Sequence, residues 1–263
     1  MKKYLAVAQT SMKSVLASKS SIFVLLAQAL IPTVVMAYLW TSILPGHSAI
    51  QGMTAETMIK YYIGVNVVNF FVWYAIDWEL NDDIHSGELS HIVRRPVNMM
   101  GYYFSRMLGD RIANLMVLAP IILIILVMHI KHIFPFDVIW FVQVVMTILL
   151  AMLLWFAFGY VIGCLAYWFE NLFFVLIVKE IVVSFLAGYY LPLNLFPEIL
   201  KKLSNLLPFQ YFSYFPIQTL LKQALPINWI SGIVIGIMWL IALYGIGYWL
   251  NRVGARHYSD VMG

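Results

Sequence analysis

Charge, cysteine and regular alternation are what this sequence has least of. Only 11% of its 263 residues are Asp, Glu, Lys or Arg, against 63% apolar. A soluble domain carries roughly a quarter charged and half apolar residues, so a water-soluble enzyme or binding module is excluded. The single cysteine, Cys164, allows no intrachain disulfide, and its apolar surroundings read as those of a small packing residue. Neither a G-x-x-x-x-G-K-[ST] phosphate loop nor an H-E-x-x-H zinc pair occurs. Apolar segments are long and continuous rather than alternating, which points to membrane helices and away from a membrane β-barrel. The stretch MKKYLAVAQTSMKSVLASKSS does not read as a signal peptide, because Gln9, Thr10, Ser11 and Lys13 interrupt its apolar run. The formal charge of +4 reflects basic ends facing one side of a membrane and suggests no nucleic-acid partner.

What the chain does have is a series of charge-free windows. They predict six transmembrane helices, near 20–44, 61–76, 112–130, a long fourth starting at 138, 172–191 and 229–250. Pro32 and Pro120 fall inside two of them. No internal repeat or linker divides the chain, so 1–263 reads as a single all-α membrane domain. Lys2, Lys3, Lys13, Lys19 and every arginine fall on one side of this layout; Lys60, Lys131, Lys201, Lys202 and Lys222 fall on the other. The excess places the first side, with both termini, in the cytoplasm of a multi-pass protein of a bacterial cell membrane. Residues 1–19 are loosely amphipathic, with Leu5, Met12 and Leu16 on one face, and suit a helix lying in the headgroup plane.

One cytoplasmic stretch, DDIHSGELSHIVRRPV, concentrates charge. Ile84, Leu89, Ile92 and Val93 form an apolar stripe at helical spacing, and Asp82, Asp83, Glu88, Arg94 and Arg95 surround it. Pro96 stops the helix, since the residue before proline resists helical geometry. A short amphipathic helix over 80–97 suits docking to a soluble partner, the stripe supplying burial and the charges register. Asp82, Asp83, His85, Glu88 and His91 also invite a metal reading. His85 and His91, however, lie six apart and point to nearly opposite sides of a helix, so no metal site is expected.

Two further features stand out. Lys179 and Glu180 sit within the fifth span, where a charge usually faces protein or water. Being about 100° apart on a helix, they are not expected to neutralise each other side by side; Asp77 and Glu79 are candidate partners. Asn66, Asn69, Phe70 and Trp73 on the second span complete a candidate pathway with Lys179 and Glu180, suited to an amphipathic or apolar molecule. The asparagines could equally bond one helix to another. Residues 191–227 are apolar yet broken by Pro192, Pro197, Pro208, Pro216 and Pro226. They read as an external re-entrant hairpin of short helices.

These residues resemble the ABC-2 permeases, the membrane subunits of type-2 ATP-binding-cassette exporters, and in particular the short six-span members that pair with a separately encoded ATPase. Asp83, Ile84, Gly87, Leu89, Arg95, Pro96 and Val97 match the family's D-I-x-x-G-x-L-x-x-x-L-x-R-P-V loop, with Val93 near the position where leucine is usual. Gly188, Pro192, Leu193, Phe196, Pro197, Leu207, Pro208, Phe209 and Pro216 match its hairpin pattern. The resemblance implies two permeases, identical or paralogous, surrounded by membrane lipid and driven by two ABC ATPase subunits that bind ATP and Mg. It makes 80–97 the coupling helix, with Asp82, Asp83, Ile84, Gly87, Glu88, Leu89, Ile92, Arg94, Arg95 and Pro96 as docking residues, and leaves this chain without catalytic residues or cofactors. Lipids, drugs, peptides and glycans are the implied substrate classes. Two alternatives remain: a membrane-embedded enzyme acting on lipid headgroups, and a non-transporting membrane scaffold.

Overall fold

The computed structural model describes residues 2–44, 49, 50, 52–89, 92, 97–133, 137–223, 225 and 227–262; the side chains of 118–133, of 257–262 and of several residues within 19–30 lie outside the description. The described residues are almost wholly helical and contain no strand. In chain order the helices are α1 (Lys2–Ala17), α2 (Lys19–Ile43), α3 (Ala55–Val72), α4 (Ile76–His85), α5 (Met99–Ile133), α6 (Val138–Gly163), α7 (Phe173–Leu186), α8 (Glu198–Leu206), α9 (Tyr214–Leu220) and α10 (Trp229–Met262).

Short polar residues mark where these helices begin. Thr54 caps α3 in a reciprocal box with Thr57. Asn98, Asp137 and Asn228 each offer a side-chain oxygen to a backbone N–H in the first turn of α5, α6 and α10. Such groups satisfy donors that the helix itself leaves unpaired.

Helix α6 is the axis of the fold. It packs against α3, α4, α9 and α10. Its first turn meets the 187–222 region, where Trp140 Nε1 donates to the carbonyls of Thr219 and Leu220 at 3.0 and 3.1 Å. Its last turns meet α4: the methyls of Ile76 crowd Gly159, and Leu80 lies over Gly163. Helix α10 runs alongside, from Gly232 against Phe215 to Gly254 against Tyr167. The charged loop and the proline-rich loop therefore occupy opposite ends of the bundle.

Helix α1 lies along α5. Gly109 takes the backbone of Ala8 so closely that a β-carbon would collide with it, and Gly101 takes the ring of Tyr4. The Tyr4 hydroxyl accepts from the Asn98 N–H at 3.0 Å, and Ser11 donates to Asp110. Leu5 and Leu16 stay exposed on the opposite side.

Span lengths depart from the sequence expectation. Among the described residues three stretches are long and apolar enough to cross a membrane: Ala55–His85, Val138–Tyr167 and Trp229–Arg256; Ile31–Ile43 is a shorter apolar helix. The second predicted span is interrupted, because residues 73–75 leave the helical path before α4 resumes. Helix α5 has 35 residues and begins well before the predicted 112. Helix α7 has only 14 residues, about 21 Å at 1.5 Å per residue, less than the ~30 Å apolar core of a bilayer. It stops because Gly188 turns into the left-handed region at φ +81°, a conformation that glycine adopts without strain.

Candidate functional site

The charges of α7 are built into a buried cluster. Lys179 Nζ lies 2.8 Å from Asp77 Oδ2 and 2.9 Å from Glu180 Oε2. It also sits 5.1 Å from the centre of the Trp155 ring, within cation–π range. Asp77 is 1% exposed and Lys179 8%. Lys179 and Glu180 do pair, contrary to the expectation from their angular separation. The four-carbon lysine stem swings its ammonium back over the helix surface, a reach that backbone angles do not convey. Of the two candidate partners, Asp77 takes Lys179, whereas Glu79 faces elsewhere.

Around Glu180 opens a cavity of about 240 Å³. Its wall draws on α2 through Pro32, α3 and the following break through Asn69 and Trp73, α7 through Glu180 and Ser184, and the proline-rich region through Tyr190 and Phe212. Trp73 Nε1 donates to Glu180 Oε1 at 2.9 Å. Trp155 Nε1 donates to the Tyr74 carbonyl at 2.9 Å, satisfying one of the backbone groups freed by the 73–75 break.

Of the six residues expected to form a pathway, the structure brings Asn69, Trp73 and Glu180 to this cavity, with Lys179 directly behind. Asn66 is occupied otherwise: its amide donates to Thr33 Oγ1 at 2.6 Å and to the Tyr62 carbonyl at 2.8 Å, joining α2 to α3. The Phe70 ring stacks edge-on against Phe71, and its carbonyl accepts from Arg111 Nη1 at 2.6 Å.

A second polar network ties α4 to α5. Arg106 Nε lies 3.5 Å from Glu79 Oε2, and its Nη1 lies 3.7 Å from Asp83 Oδ2. The Tyr74 and Tyr103 hydroxyls donate to Glu79 and Asp83, each at 2.7 Å. Arg111 stands 5.9 Å over the Tyr74 ring. Through Asp77 on one side and Glu79 and Asp83 on the other, α4 is bonded to both α7 and α5.

In the expected docking stretch, the described members of the apolar stripe are turned inward; Val93 lies outside the described residues. Ile84, Leu89 and Ile92 are 4%, 1% and 4% exposed, packed into the core of this same chain. The stripe anchors the segment within its own chain, because burying it here already removes it from water. Asp82, His85, Ser86 and Glu88 are the exposed members. His85 bridges α4 to the loop that follows α6, with Nδ1 2.8 Å from the Asn81 carbonyl and Nε2 3.2 Å from that of Phe169. Gly87 turns at φ +79° with open space around it, so backbone conformation alone calls for glycine. Arg94, Arg95 and Pro96, like His91, lie outside the described residues. Among the described residues no three His, Cys, Asp or Glu side chains converge as metal ligands would.

The proline-rich region is packed rather than splayed. All seven residues of α9 are buried, Pro216 among them, so this helix is enclosed by protein on every side. Gly188 offers its carbonyl to the Tyr61 hydroxyl at 2.5 Å. Phe196 stacks on Phe185 at 4.7 Å between ring centres, Phe209 joins Phe158 and Phe212, and Pro208 is buried. Pro192 and Pro197 introduce the short turn Leu193–Leu195 and helix α8. Helix α8 keeps an exposed flank, where Lys201 pairs with Glu198 at 3.2 Å.

Sequence reasoning missed Trp155, Arg106, Tyr74 and Tyr103 as members of these networks. Arg106 carried no distinct signal, since Arg94 and Arg95 stand nearer to the α4 acids along the chain; Trp155, in a charge-free run, carried none.

A family model described as ABC-2 family transporter protein matches residues 30–260. No curated protein matches the chain.

Proposed function

The chain belongs to the ABC-2 family of transporter proteins, a family of membrane transport components, and from that premise we propose that it is the permease subunit of an ATP-driven exporter. Two permeases form the pathway, and separate ATPase subunits dock beneath them. The chain crosses the membrane six times with both termini in the cytoplasm. Residues 187–222 then form the outer hairpin, the short α7 ending within the bilayer and the buried α9 closing the path.

The observation that carries this reading is the position of α4. Its exposed end, Asp82 and His85, with Glu88 just beyond it, is available to a partner, while its first turn holds Lys179 of α7 through Asp77. A displacement imposed at the exposed end reaches the Glu180 cavity through one rigid helix and one ion pair. ATP-driven closure of the partners would bias this element between two positions, the requirement for coupling a remote reaction to transport. The exposed apolar faces of α7 and α10, with Phe174, Val178, Ile230 and Ile241 among them, are suited to lipid or to a second permease.

The test is purification from the native membrane with identification of what accompanies the chain. An ATPase bearing a phosphate loop is expected, lost when Asp82, His85 and Glu88 are together changed to Lys, Ala and Lys. Recovery of the chain alone from gently solubilised membranes would overturn the reading.

A further inference from the structure

We propose that the cavity beside Glu180 is a headgroup site for an amphipathic cation, and that molecules carrying a quaternary ammonium or amine head on an apolar tail are what this permease moves. The inference rests on the exporter reading and gives its substrate a charge.

Three observations lead to it. The first is the balance of charge. Lys179 is met by two carboxylates, Asp77 and Glu180, so this group of three holds one negative charge in excess. Asp77 is sealed behind Lys179, whereas the Glu180 side chain is 33% exposed and borders the cavity. An uncompensated carboxylate away from bulk water is costly, and a cationic ligand relieves that cost. Glu180 also retains acceptor capacity. Each carboxylate oxygen has two lone-pair directions, and Lys179 and Trp73 supply one donor apiece.

The second observation is the wall. Trp73, Trp155, Tyr189, Tyr190 and Phe212 border the same space. Aromatic rings around a carboxylate attract a cation twice, through ring faces and through charge, and this combination suits alkylated ammonium groups that donate few hydrogen bonds. Lys179 over Trp155 is an internal example of such a cation, held by a ring face and two carboxylates. Trp73 and Tyr190 are 37% and 44% exposed, so their rings are accessible to a ligand.

The third is size. A volume of about 240 Å³ falls short of the roughly 300–1,000 Å³ of pockets that enclose a whole drug-sized ligand. It fits a headgroup, leaving the apolar remainder outside. The neighbouring surface of α7 supplies exposed Ile177 and Ile181 for such a tail.

The experiment measures equilibrium binding of radiolabelled decyltrimethylammonium to the full chain, with whatever copurifies, in zwitterionic lipid nanodiscs against empty discs. Decyl sulfate serves as the anion of equal chain length. Saturable binding of the cation is expected, uncontested by decyl sulfate. Glu180→Gln should weaken it by roughly tenfold or more and Tyr190→Ala by a few-fold, while Glu180→Asp retains most of it. Glu198→Gln, on the exposed flank of α8, should leave it unchanged. Equal binding to wild type and Glu180→Gln overturns the proposal, as does effective competition by decyl sulfate. If Glu180→Gln fails to fold, Tyr190→Ala and Glu180→Asp decide in its place: full binding in the first together with none in the second overturns the proposal. Binding is read without ATP, and copurification of the ATPase is read without ligand. Absent binding with the ATPase present removes the cation site alone; binding without an ATPase removes the exporter reading alone.

Discussion

Asp77 at the first turn of α4 and Lys179 in the middle of α7 form a buried ion pair at 2.8 Å, joining the segment that bears the exposed acids to the helix that borders the cavity. A break in regular helix allows it. Residues 73–75 redirect the chain so that α4 packs on Gly159 and Gly163 of α6, which sets Asp77 facing α7.

Removing Lys179 leaves two carboxylates facing each other without a cation. Lys179→Met is expected to cost about 3–5 kcal/mol, the usual penalty for orphaning a buried charge. Glu180→Gln should cost clearly less, since Asp77 still balances Lys179 and Glu180 is partly exposed. Thermal melting of the detergent-solubilised variants checks the order; equal losses would show that the pair is not stabilised as described.

Ile84, Leu89 and Ile92 hold the docking stretch to its own chain. Changing any one to alanine is expected to destabilise the protein by roughly 2–5 kcal/mol, as for other fully buried aliphatic residues. Asp82→Lys and Glu88→Lys, both at exposed positions, should leave the melting temperature nearly unchanged and reduce ATPase recovery. A stable Ile84→Ala variant that loses the ATPase would place the stripe back at the partner interface.

Gly87 and Gly188 both adopt positive φ, but with different surroundings. Gly87→Ala adds backbone strain alone, about 1 kcal/mol. Gly188→Ala adds to that a crowded site, with the Tyr61 hydroxyl and the Tyr214 side chain 3.1 and 3.2 Å from the new methyl. A larger loss for Gly188→Ala is expected in the same melting assay. If the two variants melt together, the packing around Gly188 is looser than described.

At the α1–α5 crossing, Gly109→Val would place a branched side chain on the Ala8 backbone. Helix α1 is expected to separate from α5, at a cost of about 1–3 kcal/mol. Limited trypsin digestion reads this directly, as faster cleavage after Lys13. An unchanged cleavage rate would argue that α1 is held by its polar contacts instead.

Several structural elements were legible in the residues. The charge-free windows located the long apolar helices among the described residues, and the prolines between 191 and 227 marked a chain that could not continue as one helix; the positive φ of Gly87 and Gly188 was not read from the sequence. Boundaries were less legible. Helix α5 extends toward the N-terminus through Arg106, Asp110 and Arg111, charges that a hydropathy window rejects but that α4, α1 and α3 accommodate. Helix α7 ends early because a single glycine turns, although its apolar run continues.

By itself, the sequence determined that this is a helical membrane protein with a charged loop at one end and a broken apolar loop at the other. Lipid cannot satisfy a backbone N–H or C=O, so apolar length and helix are bound together along the chain. Only the tertiary structure decided that Lys179 pairs with both Asp77 and Glu180, that the Ile84 stripe faces inward, and that Trp73, Asn69 and Glu180 share one cavity. Such pairings depend on flexible side chains and on the approach of helices at their glycines, and distance along the chain carries no record of either.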